Sequence, residues 1–184
     1  MQEQQTVYIL RNALSEEACL LLSTEMKIHR SCQSLTSEED VMSGDGQVNN
    51  SFSKYASLGN EAILLLMNQK ANEIFGEELE PTYSYSRIMT AGATMPRHVD
   101  RPECSHSVTI CLQKDKHNTP YPIYMGGEQV ELEVGDAVFY RGCEVEHWRN
   151  AYEGEEHIQV FLHYTPKGSG LIYDGRPFVN FSKD

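Results

Sequence analysis

The chain lacks the cysteine patterns that staple or metallate a small fold. Its five cysteines, Cys19, Cys32, Cys104, Cys111 and Cys143, are odd in number, scattered and never spaced C-x-x-C. Neither a disulfide framework nor a structural zinc site is expected, and reduced thiols are. Positive charge is scarce: 15 Lys and Arg stand against 27 Asp and Glu, a formal net charge of −12. Most of such a surface repels phosphates, so no nucleic acid and no anionic membrane is expected as a partner. Long hydrophobic runs are missing as well, since stretches such as Ala62 to Met67 are far short of the about 20 residues that a membrane helix needs. The first residues, Met1-Gln-Glu-Gln-Gln-Thr, carry neither a basic nor an apolar leader segment, which predicts a cytoplasmic protein. There is no internal repeat and no low-complexity linker.

At 184 residues the chain suits one domain, 1–184, large enough to bury a core without help from a cofactor. Val7 to Leu10 reads as a short extended segment. Ser15, followed by two glutamates and by apolar residues at 18, 20, 21, 22 and 26, caps a predicted helix running to about His29. Residues 31–50, rich in Ser, Glu, Asp, Gly and Asn, read as a loop able to cover a site. A second helix follows Asn60, with an apolar stripe at 63, 66, 67, 71, 74 and 75, and stops at Gly76. Beyond Pro81 come short β-branched and aromatic segments, 82–90, 107–113, 121–125, 129–134, 137–140 and 157–164, divided by Gly, Pro and Asn. Many strands after two helices predict a mainly β (α+β) barrel or sandwich braced by helices.

Two histidines and an aspartate stand out in that frame. On a strand, residues i and i+2 face the same way, so His98 and Asp100 of His98-Val99-Asp100 can grip one metal ion, with His147 as a third ligand. Two imidazoles and one carboxylate on one face of Fe(II) leave positions open for chemistry.

The order of Pro96-Arg-His-Val-Asp-Arg-Pro, Ser107-Val-Thr-Ile-Cys-Leu, Gly126-Gly127, Gly135-Asp-Ala-Val-Phe-Tyr and Glu146-His147 resembles the prolyl 4-hydroxylase-like branch of the iron- and 2-oxoglutarate-dependent dioxygenases, over about residues 80–165. The resemblance implies a double-stranded β-helix, a jelly roll of cupin-like form, with helical support over 1–80, the β-helix core over 81–165 and a C-terminal tail over 166–184. It implies His98, Asp100 and His147 as catalytic iron ligands, and Fe(2+), 2-oxoglutarate and O2 as cofactor and cosubstrates. The implied reaction is hydroxylation of an organic substrate, a prolyl or other amino-acid residue or a small metabolite, with decarboxylation of 2-oxoglutarate to succinate. Its substrate partner is thus a small molecule or a peptide; no oligomeric state follows from the pattern.

Such proteins commonly place Lys or Arg nine or ten residues after the distal histidine, to meet the far carboxylate of 2-oxoglutarate. Glu156 and His157 stand there in this chain. The compensating cation must come from elsewhere, and Arg87 ranks first, sharing a strand face with Tyr83 and Tyr85; Arg149 ranks second, ahead of Lys114 and Lys116. His157 and Gln159 share a face with Phe161 and His163 that is too polar for a plain core, and they are candidate hydrogen-bond partners of the same acid. Trp148 and Tyr124 are candidate pocket walls, Thr109 borders the expected cofactor, Cys111 reads as core, and His29, His106 and His117 read as surface residues. Three other functions compete: a cupin-like metal-dependent oxygenase or metal-binding protein that does not use 2-oxoglutarate, a non-catalytic β-sandwich binding module, and a zinc hydrolase, for which no H-E-x-x-H base is present.

Overall fold

A computed structural model describes residues 7–171. Strand β1 (Val7–Leu10), helix α1 (Glu16–Thr36), strand β2 (Ser51–Tyr55) and helix α2 (Leu58–Phe75) come first. They are followed by β3 (Leu79–Thr90), β4 (Met95–His98), β5 (His106–Gln113), β6 (Ile123–Met125), β7 (Glu128–Val130), β8 (Ala137–Tyr140), β9 (His147–Arg149) and β10 (Glu156–Pro166). The larger sheet has the order β1-β8-β5-β10-β3-β2 and the smaller one β4-β9-β6-β7. From β3 onward the chain passes back and forth between the sheets, the winding of a double-stranded β-helix, as expected.

Strand alternation divides the larger sheet into two faces. Ile88, Val108, Ile110, Phe139, Ile158, Val160 and Leu162 point outward and meet Cys19, Leu22 and Met26 of α1 and Ile63, Leu64, Met67 and Phe75 of α2. Several large side chains leave water there, each contributing roughly 1.5–3 kcal/mol. The other face turns toward the smaller sheet, where Met89, Met95, Cys111, Tyr121, Ile123, Met125 and Tyr140 form a second core. Ser15 caps α1 by accepting from Ala18 N at 3.3 Å, and Gly76 ends α2 in the left-handed region at φ 71°. Gly126 and Gly127, both at positive φ, close the β6–β7 hairpin.

Several boundaries differ from expectation. α1 continues past His29 to Thr36 as an exposed helix without an apolar stripe, in which Ser31, Ser34 and Thr36 donate their hydroxyls back to the carbonyls of Lys27, Arg30 and Cys32. The expected loop therefore shrinks to 37–50. β2 was not expected; it is a serine-containing edge strand paired to β3, with one isolated bridge from Ser51 to Ser43. α2 starts at Leu58 after Ser57, and Asn60 lies inside it, buried, donating to Ser86 Oγ at 2.8 Å. Residues 1–80 thus supply two strands of the larger sheet in addition to helices. β3 extends back through Pro81 because Thr82 bulges out of the ladder, so that His163 pairs with Tyr83 and Tyr164 with Pro81. Of the expected tail, residues from 172 onward lie outside the described ones. Among the described residues no helix is long and apolar enough to cross a membrane.

Candidate metal centre

His98 ends β4 and His147 opens β9, and these two strands pair antiparallel with His98 opposite His147. Cross-strand pairing, rather than chain proximity, brings the rings to a centroid separation of 4.2 Å. Asp100 lies just beyond β4, not on it, so in place of the expected strand alternation of His98 and Asp100 the carboxylate is positioned by the bond that Asp100 N donates to Gly142 O at 2.8 Å. Asp100 Oδ1 then sits 3.6 Å from His98 Nε2 and 3.5 Å from His147 Nε2. The three ligand atoms all lie within 4.8 Å of one another.

Backbone carbonyls fix which nitrogen faces the centre. His98 Nδ1 donates to Pro96 O at 2.8 Å and His147 Nδ1 to Val145 O at 2.9 Å. Each Nε2 is left facing Asp100 with its lone pair, the tautomer that a metal requires. Burial by itself would raise the Asp100 pKa, but its contacts with the His147 and His98 side chains outweigh it and hold the carboxyl well below its usual range. Ser107 Oγ donates to Asp100 Oδ2 at 3.1 Å and lies 2.9 Å from His163 Nδ1. Gly142 gives the carboxylate its space: a Cβ there would lie 2.5 Å from Asp100 Oδ2. The donor set, its tautomers and its held carboxylate fit a divalent ion, and two nitrogens with one oxygen suit iron.

A cavity of about 350 Å³ opens over these ligands, lined among others by Asp45, Gln47, Tyr83, Tyr85, Arg87, Arg101, Phe161 and His163. Of the candidate carboxylate partners, Arg87 and Tyr85 line it, whereas Arg149, His157 and Gln159 do not. Arg87 and Tyr85 do share an inward face, and Arg87 is buried, but its guanidinium already holds Asp45 from the 37–50 segment. Arg149, two residues after His147 and on the same face, is buried, and among the described residues no carboxylate forms an ion pair with it; it donates to Tyr121 O. Buried polar atoms on the inward faces of β5 and β10 are orphaned. Neither ring nitrogen of His157, neither polar side-chain atom of Gln159 and not the hydroxyl of Thr109 has a partner, although all three residues are buried. The His157 ring lies 5.3 Å from Tyr121, over which Arg149 stacks at 4.5 Å. Burial, followed by the Arg149 charge, holds His157 neutral. An unpaired buried cation beside unsatisfied donors is costly unless an anion completes it, and a carboxylate fits.

The remaining candidates fall away. Lys114 pairs with Glu131 and Glu133, and Lys116 with Glu155. Glu156 turns to α1 and pairs with Arg30 at 2.7 Å and Lys27 at 3.3 Å. Trp148 and Tyr124 do not wall the pocket: they stack on each other on the opposite face of their strands, with Arg97 3.5 Å above the indole. His106 is not a surface residue; it is buried against Phe75 and bonded to Glu77 and Arg141. Sequence reasoning gave no role to Asp45, Gln47, Ser107, Gly142 or His163. Only His163 had a signal, its place on the polar face of β10.

No family model matches the chain, and no curated protein matches it in sequence. Solved structures match throughout. The viral collagen prolyl hydroxylase of Paramecium Bursaria Chlorella virus-1, solved with 2-oxoglutarate, superposes with a TM-score of 0.66 at 11% identity, over 87% of this chain and 96% of that one. A prolyl-4-hydroxylase of Pseudomonas putida gives 0.65 at 14% identity, over 89% and 94%. HygX of Streptomyces hygroscopicus, with nickel and 2-oxoglutarate bound, gives 0.66 at 10% identity, over 91% and 88%. At such identities the likeness establishes a shared fold, that of the 2-oxoglutarate oxygenase structures.

Proposed function

We propose that this chain is an Fe(II)- and 2-oxoglutarate-dependent oxygenase that hydroxylates a C–H bond of a small-molecule or peptide substrate. The observation that carries the proposal is the convergence of His98 Nε2, His147 Nε2 and an Asp100 oxygen, with both histidine tautomers set by backbone carbonyls. Bound together, iron and 2-oxoglutarate supply oxidation of a C–H bond by O2, coupled to decarboxylation of the keto acid to succinate.

The residues of the chain divide the remaining work. His98, Asp100 and His147 hold the ion on one face and leave the cavity side open. Arg149 compensates the far carboxylate of 2-oxoglutarate, with His157, Gln159 and Thr109 giving it hydrogen bonds from atoms that have no partner in the protein. This reverses the sequence-based ranking, in which Arg87 came first: Arg87 already has a carboxylate, and Arg149 does not. Ser107 keeps Asp100 aligned through the bond to its outer oxygen. Tyr83, Tyr85 and Phe161, packed with Cys104, wall the substrate side and exclude water.

Anaerobic titration of Fe(II)-loaded protein with 2-oxoglutarate tests the proposal through the weak visible charge-transfer band that keto-acid chelation produces. The band is expected in the wild type and absent in His98→Ala. Metal binding without a band would replace the proposal with a 2-oxoglutarate-independent oxygenase, and no metal binding would leave a binding module.

A further inference from the structure

The segment between α1 and β2 organises itself around one side chain. Asp45 Oδ1 accepts from Gln47 N at 3.1 Å and Val48 N at 3.0 Å, closing a local turn. The second oxygen, Oδ2, leaves the turn for the cavity and accepts from Arg87 Nε at 3.1 Å, from Arg87 Nη2 and from Tyr85 Oη. The guanidinium lies over the rings of both Tyr85, at 5.0 Å, and Phe161, at 5.7 Å. A buried arginine edge with a phenol beside it, walled by aromatic faces, is a carboxylate receptor, filled here from within.

Gln47 joins this receptor to the metal centre. Its Oε1 accepts from Arg87 Nη2 at 3.1 Å while its Nε2 donates to His98 Nε2 at 3.0 Å. That histidine nitrogen has a single lone pair, because Nδ1 carries the hydrogen. A metal ion and Gln47 cannot both use it, so loading the centre releases the Gln47–His98 tie and leaves the segment held across the cavity by Arg87, through Asp45 and Gln47 Oε1, and by Tyr85.

We propose that Arg87 and Tyr85 are the substrate-recognition site, that they bind a carboxylate of the substrate, and that Asp45 occupies this site until the substrate displaces it. This deepens the oxygenase reading above and rests on it for the identity of the ligand as substrate. Exchanging one carboxylate for another keeps the buried Arg87 compensated, whereas a neutral substrate that moved Asp45 aside would strand a desolvated cation. One glutamine amide spans the distance from Arg87 to the metal-facing nitrogen of His98, so the acid is short, with its reacting carbon a few bonds from the carboxylate. Free amino acids and small carboxylic acids have that form.

The test is the variant Asp45→Asn, which keeps an oxygen for the turn and removes the charge. Calorimetric titration with acetate, propionate, benzoate and a panel of free amino acids, each paired with its methyl ester, reads the receptor directly in metal-free protein and again with Ni(II) and 2-oxoglutarate bound. D45N is expected to bind acids about tenfold more tightly than the wild type does, with no gain for the esters, and hydrogen exchange over residues 37–50 should rise when an acid binds the wild-type protein. Arg87→Gln should erase the difference between acid and ester. Acids and esters indistinguishable in D45N would overturn the proposal, as would a loss of 2-oxoglutarate affinity in R87Q, which would make the cosubstrate the source of the carboxylate. The metal-free arm needs no iron, so an acid-selective receptor in a protein that binds no metal or 2-oxoglutarate would sink the oxygenase reading and its substrate, while acid and ester bound alike by a protein that binds both would sink this proposal alone.

Discussion

The two faces of β10 belong to the same eleven residues and follow opposite rules. Ile158, Val160, Leu162 and Tyr164 point to the helices and sit in a dry core, whereas His157, Gln159 and His163 point inward, buried among polar atoms that lack partners or touch the metal ligands. An ordinary interior satisfies its polar groups. The outer face therefore stabilises the fold, and the inner face gives up stability to remain complementary to something that is not protein. Strand alternation insulates the two functions at a spacing of one residue.

Breaking the inner face at its centre has the largest effect. Asp100→Ala, His98→Ala and His147→Ala are each expected to abolish stoichiometric Fe(II) or Ni(II) binding while leaving the circular dichroism spectrum and thermal unfolding of the metal-free protein near wild type. Calorimetric metal titration reads the first and a melt the second. Loss of folding in these variants would show that the two faces are not separable. An outer-face cavity should do the reverse. Leu162→Ala is expected to cost about 2–5 kcal/mol in chemical denaturation, yet to bind metal with unchanged stoichiometry under native conditions.

Removing the charge that awaits a carboxylate gives a smaller change. Arg149→Gln should weaken 2-oxoglutarate binding on the order of 100-fold, with metal affinity kept. Arg87→Gln serves as the contrasting variant, because an equal loss there would erase the distinction between the two arginines. Smallest is Gln159→Leu, which replaces an unsatisfied amide with an apolar group of similar size and is expected to leave stability unchanged or raise it by about 1 kcal/mol while weakening 2-oxoglutarate.

The sequence carried much of this and missed the rest for identifiable reasons. Period-2 alternation marked the strands, the serine cap and Gly76 bounded helices, and the polar inward face of β10 was visible as His157, Gln159 and His163 alternating with aliphatic residues. The cluster of His98, Asp100 and His147 was anticipated from residue chemistry and resemblance, though the reason the two histidines meet is a β4–β9 pairing that no local pattern encodes. Asp45 and Gln47 were invisible, since they lie in a stretch without periodicity and reach Arg87 and His98 about 40 and 51 residues away. The Arg87–Asp45 pair was hidden for the same reason: local spacing reveals which residues share a face but not which of them has already found a counter-ion.

Gly142 adds something that a list of ligands leaves out. Asp100 can stand where it does only because the neighbouring loop contributes no atom to that volume, with the Cys104 carbonyl closing the other side. A chain with all three ligands intact and alanine at this position would satisfy every motif search and still push its carboxylate off the other two donors. The geometry of this cluster is written partly in a missing methyl group, at a position that carries no chemistry of its own.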